Sequence, residues 1–269
     1  MIAPPAHPAV STATCTNCTT PLVGRYCQAC GQDSIPDETA LTRWRESWQR
    51  LWRTLHALIL RPGYLTQQHL GGSRVRFIAP LTLFLNIVAV FFLFSVATEF
   101  RVQSFMRADS SRHLEQSLER RAERAGVSKD VFLERVERRF QSVYTLCLVS
   151  ISLFGYTVLT RLVYRRHWRG WRGPFTFTLH YLAFIFIALP VVMIVVHGVS
   201  TIVYPPLLRM LAVVASGTIA TSWLALASRR LFNERWPMAL VKGAAIVLVG
   251  FVIDNAMFLT AVLVTFNLA

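Results

Sequence analysis

The chain has 269 residues, of which 54% are hydrophobic and only 16% charged, and its mean hydropathy is +0.43. Soluble domains carry about 25% charged residues, so this composition excludes a disordered chain and argues against a water-soluble globule. Lys and Arg number 28 against 14 Asp and Glu, a net charge of +14. With so much apolar sequence that excess suits anionic lipid headgroups better than nucleic acid, and no nucleic-acid partner is expected.

Residues 1–14 are rich in Pro and Ala and read as a flexible tail. They hold neither the basic nor the apolar region of a signal peptide. Four of the five cysteines follow within sixteen residues, as Cys15, Cys18, Cys27 and Cys30 in a C-x2-C-x8-C-x2-C pattern. Each C-x2-C pair forms a turn that aims two thiolates at one point, and two such turns complete a tetrahedral four-sulfur site. The segment 15–35 is therefore expected to be a zinc ribbon holding one structural zinc ion; four thiolates also suit iron. About thirty residues are too few for a core of their own, so metal binding would supply the folding free energy. Cys147 sits in an apolar run and reads as a small buried hydrophobe.

Residues 38–60 place Leu41, Trp44, Trp48, Leu51, Trp52, Leu55, Leu58 and Ile59 at helical spacing, with Arg43, Arg45, Arg50 and Arg53 mostly off that face. Such a helix fits the headgroup layer, with its tryptophans at the acyl boundary and its guanidiniums on lipid phosphate. A soluble helix packed on another element would show the same pattern. A linker over 61–76 is punctuated by Arg61-Pro62-Gly63 and Gly71-Gly72, and Arg74 and Arg76 stand at the mouth of the first apolar run.

A spanning helix needs about 20 apolar residues. Five segments of residues 77–269 qualify, at about 77–98, 140–160, 175–200, 210–228 and 243–266, with Pro205-Pro206 expected to stop the third. The expected fold is all-α: a five-helix transmembrane bundle with an N-terminal interfacial amphipathic helix and a small zinc-ribbon knuckle. Loops before the first span, after the second and after the fourth are rich in Arg, whereas the loop after the third has only Arg209. By the positive-inside rule the N-terminus is then cytoplasmic and the C-terminus outside. The loop 99–139, with ten basic and eight acidic residues, is long enough to escape that rule and reads as a small helical hairpin, with Ser128 capping its second piece.

Asp254 lies mid-way along the last run, followed by Asn255, and Asn86 lies at similar depth in the first. An ionised carboxylate there costs roughly 2.5–3.5 kcal/mol, so Asp254 must face the bundle or a wet cavity. Asn86, Ser216 and Thr218 could converge on it as a proton, cation or substrate site. Equally, Asp254 could hydrogen-bond a neighbouring helix or an oligomer interface. His180 and His197 read as interface residues, and Gly243 and Gly250 as points of close helix approach.

The cysteine segment CTNC…YCQACGQ, the Trp/Leu helix, the RPG turn and GGSRVRFIAPL together resemble an uncharacterised bacterial membrane-protein family. It is known as a domain of unknown function with an N-terminal zinc ribbon and several helices, and the likeness spans roughly residues 15–95. Thr19 stands where the first knuckle of that pattern has Gly. The resemblance implies a multi-pass protein of the bacterial inner membrane and brings no activity.

No nucleophile–base motif, metalloprotease motif or glycine-rich phosphate loop is present in the sequence, so an enzyme is not expected. Three functions remain open. The first is a membrane-anchored adaptor or regulator whose cytosolic zinc ribbon docks a protein. The second is a small oligomeric transporter or channel using Asp254. The third is an intramembrane enzyme.

Overall fold

The computed structural model describes residues 14–15, 17–24, 26–31, 40–73, 76–97, 119–124, 126–128, 130–132, 134–136, 148–199 and 205–268. It divides into two compact units, residues 1–52 and 53–269, each described by itself. The described residues are mostly helical and contain no extended strand.

The helices are α1 (Ala40–Leu60), α2 (Tyr64–Leu70), α3 (Pro80–Ala97), α4 (Leu153–Val163), α5 (Arg172–Val199), α6 (Pro205–Phe232) and α7 (Trp236–Leu268); a π-helical turn, Leu148–Ser152, precedes α4. Three stretches are long and apolar enough to cross a membrane: Arg172–Val196, Met210–Phe232 and Trp236–Ala261. The first and second expected spans correspond to shorter apolar helices, Pro80–Phe94 and Ser150–Val163. The first of these helices starts at Pro80 rather than Phe77, and Ile78 N–H just before it donates to Thr54 Oγ1 of α1 at 3.2 Å. Residues 140–147, with Cys147, lie outside the described residues, as do the tail up to residue 13, Arg74 and all of 99–118.

The described part of α5 ends at Val199, close to the expected end of the third run, and Pro205 and Pro206 open α6. Proline suits the first turn of a helix, where its missing N–H removes only a donor that has no intrahelical partner. Arg209, assigned to a loop from the sequence, therefore lies inside α6. Pro190 is accommodated within α5.

At the centre of the larger unit, α5 packs against α2, α3, α4 and α6, and α7 packs against α4 and α6. Phe177, Leu179, Tyr181, Leu182 and Ala183 of α5 are all buried, joined by Leu83 and Phe84 of α3, Trp223 and Leu224 of α6 and Ile246 of α7. Trp223 lies nearly parallel to Phe184, their ring centroids 5.3 Å apart. The outward faces are apolar too: Val213, Val214, Leu248, Phe251 and Val252 are all more than half exposed. That is the inverse of a water-soluble surface and suits hydrocarbon.

The RPG turn has a tertiary purpose. Gly63 sits at φ +79°, and a Cβ there would lie 2.9 Å from Ala227 O on α6. Arg230 Nη1 donates to Pro62 O at 3.0 Å, and Trp223 Nε1 donates to Leu58 O at 2.9 Å. The end of α1 and the start of α2 are thus clamped to α6 through backbone carbonyls. Gly63→Ala should destabilise the protein by about 2–4 kcal/mol, from left-handed strain plus overpacking. Thermal unfolding in detergent would read this, and an unchanged midpoint would mean that α6 yields at no cost.

Candidate metal centre

The four cysteines of the N-terminal unit come together with their Sγ atoms all within 4.8 Å of one another. Cys15 and Cys30 sulfurs are 3.6 Å apart, and Cys18 and Cys27 sulfurs 3.5 Å. A disulfide would hold them at about 2.05 Å, so these are free thiols. Tetrahedral bonds of about 2.3 Å to one ion place neighbouring sulfurs about 3.8 Å apart, close to what is seen. The cluster therefore fits a metal ion.

Two equivalent turns build it. Thr19 N–H donates to Cys15 O at 2.9 Å, and Gly31 N–H donates to Cys27 O at 2.8 Å. Both turn residues are left-handed, Thr19 at φ 60° and Gly31 at φ 76°. The chain is drawn back by Cys15 N–H donating to Thr20 O at 2.9 Å and by a backbone bridge between Thr14 and Pro21. Cys15, Leu22 and Cys27 are buried together as a miniature core.

The thiols are electrostatically unequal. Cys18 is lowered to about 6, first by the Thr20 hydroxyl 3.3 Å from its sulfur and then by the Thr20 backbone. Cys15 moves the other way, up to about 11. The Asn17 backbone N–H, 3.4 Å away, favours its thiolate, but burial and the sulfurs of Cys30 and Cys18 outweigh that contact. A bound cation would override this inequality, because it favours the thiolate at all four positions.

In the same unit Trp44, Trp48 and Trp52 form an exposed row along α1, at 66%, 47% and 58% exposure. Trp44 and Trp48 are stacked at 5.6 Å, and Trp48 and Trp52 meet edge to face at 5.9 Å. Arg45, Arg50 and Arg53 are exposed beside them, and the side chain of Arg43 lies outside the described residues. Arg76 is exposed with its guanidinium 5.6 Å from the Phe77 ring centre.

The polar residues of the larger unit assemble differently from the sequence expectation. Asp254 accepts hydrogen bonds from Tyr156 OH at 2.8 Å and Ser152 Oγ at 3.2 Å. Asn86 is exposed on α3; Asn255 is exposed and donates to Phe251 O of its own helix at 2.7 Å; Thr218 is likewise exposed and donates to Val214 O. None of these three joins Asp254. Residues not singled out from the sequence do, and one signal was available: Ser152, Tyr156 and Thr160 recur every fourth residue in an apolar run. Thr160 Oγ1 lies 3.0 Å from Thr178 Oγ1 of α5, continuing the stripe. Gly250 makes room for Tyr156, since a Cβ there would lie 2.3 Å from the phenolic oxygen. Gly243 lies close to α6 in the same manner, and a Cβ there would lie 3.0 Å from Thr221 O. His180 is buried with Nδ1 2.9 Å from Thr66 Oγ1 of α2, and the side chain of His197 lies outside the described residues.

Residues 49–92 match a family described as a protein of unknown function (DUF3667). The matched stretch runs from α1 through the RPG turn and α2 into α3, and the chain is similar to that uncharacterised family there. No curated protein and no solved structure matches the chain.

Thr19 carries a cost that Gly31 avoids, because a β-branched residue is strained in the left-handed region. Thr19→Gly should therefore tighten metal binding by about 0.5–1 kcal/mol after allowing for the flexibility of glycine, or about two- to fivefold. Chelator competition on the purified protein would show this. Weaker retention would mean that the Thr19 hydroxyl bond to Cys18 O, at 2.7 Å, contributes more than the strain costs.

Proposed function

We propose that this protein is a membrane-anchored adaptor or regulatory module of the bacterial inner membrane, with a cytosolic zinc ribbon that docks a protein partner. The observation that carries this reading is the four-sulfur cluster. Four thiolates close the coordination sphere, so the ion organises a surface rather than activating a substrate. Zinc suits four thiolates at tetrahedral spacing and brings no redox chemistry. Beside the cluster, Val23 is 78% exposed and Tyr26 60% exposed, giving the knuckle an apolar and aromatic face of the kind partners bury.

Five spans, α3 to α7, make up the membrane domain in this reading. The arginines flanking α4 and α6 keep their near ends in the cytoplasm, with the N-terminus, while the C-terminus lies outside. The exposed tryptophan row of α1 then meets the headgroup layer, where anionic lipid pairs with its arginines. Asp254, held by Ser152 and Tyr156, serves to join α7 to α4.

Two measurements test the proposal. Affinity capture with the full-length protein should recover a partner that Cys27→Ser loses, and that Val23→Glu with Tyr26→Ala loses while one equivalent of zinc remains. A partner retained by both variants would refute docking at the ribbon. Phosphatase and fluorescent reporters fused to the two termini should report opposite compartments; the same compartment for both would refute the odd number of spans.

A further inference from the structure

A groove of about 420 Å³ opens between α4 and the start of α5, walled by Leu153, Phe154 and Thr157 on one side and Trp171, Arg172 and Phe175 on the other. Its walls are apolar and aromatic, and Phe154 is 72% exposed. The Thr157 hydroxyl adds no polarity to the wall, because it donates to Leu153 O at 2.6 Å. Ser150, in the π-helical turn before α4, lines the far end.

The near end is cationic and fixed in shape. Arg161 Nη2 donates to Arg169 O at 2.9 Å, and its guanidinium stands 5.8 Å from the Trp171 ring centre, holding that ring at the mouth. Trp168 lies against the Gly173 backbone, where a Cβ would meet its indole at 2.6 Å. Arg172 itself has no hydrogen-bond or ion-pair partner among the described residues. The stretch 161–172 holds five arginines and no acid to supply one.

We propose that this groove is a binding site for a single anionic phospholipid, with an acyl chain along Leu153, Phe154 and Phe175 and the headgroup phosphate on Arg172. Both halves of the site are needed to choose this occupant. Inorganic phosphate would satisfy Arg172 and leave the aromatic walls uncovered. An apolar helix from a second copy would cover the walls and bury Arg172 without a counter-charge, which is costly. An anionic lipid matches both, and Trp171 at the mouth suits the boundary between acyl chain and headgroup.

This inference rests on the membrane placement of α4 and α5 proposed above, which the terminal reporters test separately. The full-length protein in detergent would be equilibrated with equal phosphatidylglycerol and phosphatidylcholine, and the retained lipid counted by native mass spectrometry. Phosphatidylglycerol should be retained in preference. Arg172→Gln should lower its retention about fivefold, the effect of one interfacial arginine. Ser150→Phe, which fills the groove without changing charge, should also lower it. Arg166→Gln removes the same charge from the same loop, but Arg166 is exposed and does not line the groove, so solvent screens it from the headgroup and retention should stay within about twofold of the wild type. Equal losses in Arg166→Gln and Arg172→Gln would reduce the effect to diffuse attraction and overturn the site. So would undiminished retention in Arg172→Gln or in Ser150→Phe, equal retention of both lipids, or a dimer that Ser150→Phe dissolves.

Discussion

Polar side chains inside the apolar helical body of the larger unit are costly to leave unpaired, and their pairings fix how its helices meet. The central helix α5 brings Thr178 and His180 into its packed faces, and each meets a hydroxyl on a neighbour, Thr160 of α4 and Thr66 of α2. Asp254 of α7 is answered by Tyr156 and Ser152. The indole of Trp223 and the guanidinium of Arg230, both on α6, take the carbonyls of Leu58 and Pro62, where the chain leaves α1. Apolar contact alone is non-directional and would allow these helices to slide or rotate. The hydrogen bonds fix which faces meet.

Glycine enforces the same geometry from the other side. Gly63, Gly243 and Gly250 each sit where a Cβ would press into a neighbouring helix or its side chain. Close approach brings the donors and acceptors within reach, and the bonds then hold the approach. The π-helical turn before α4 belongs to this arrangement, since it ends at Ser152, one of the two donors to Asp254. Such turns re-aim a side chain locally without ending the helix.

The N-terminal unit follows a different constraint. It has too few apolar residues for a core, and among its described residues the buried ones are two cysteines and Leu22. Its shape comes from two left-handed turns that aim four sulfurs inward, and a metal ion held there would replace hydrophobic burial as the organising interaction. Thr19 is the weak point of that design, a β-branched residue in the conformation that Gly31 adopts without strain.

Much of this was legible in the residues. The C-x2-C spacing located the four-sulfur cluster because two short turns leave the sulfurs few other places to point, and the long apolar runs located helices that are greasy on their outer faces as well. The breaks at Gly63 and Gly72 were also readable, since both adopt positive φ. Other features were not. Pro205 and Pro206 signal a helix boundary but not which helix they belong to, and the structure gives them to α6. Polar residues at one membrane depth can point to any side of a helix, so depth grouped Asn86 and Asn255 with Asp254 when rotation separates them. The sequence by itself determined the composition of each segment, its helical character and its metal-ligand set, because these depend on neighbours along the chain. Only the tertiary structure decided which hydroxyls meet Asp254 and His180 and why Gly63 must lack a side chain, because those contacts depend on helix rotation and on partners 98 to 164 residues away.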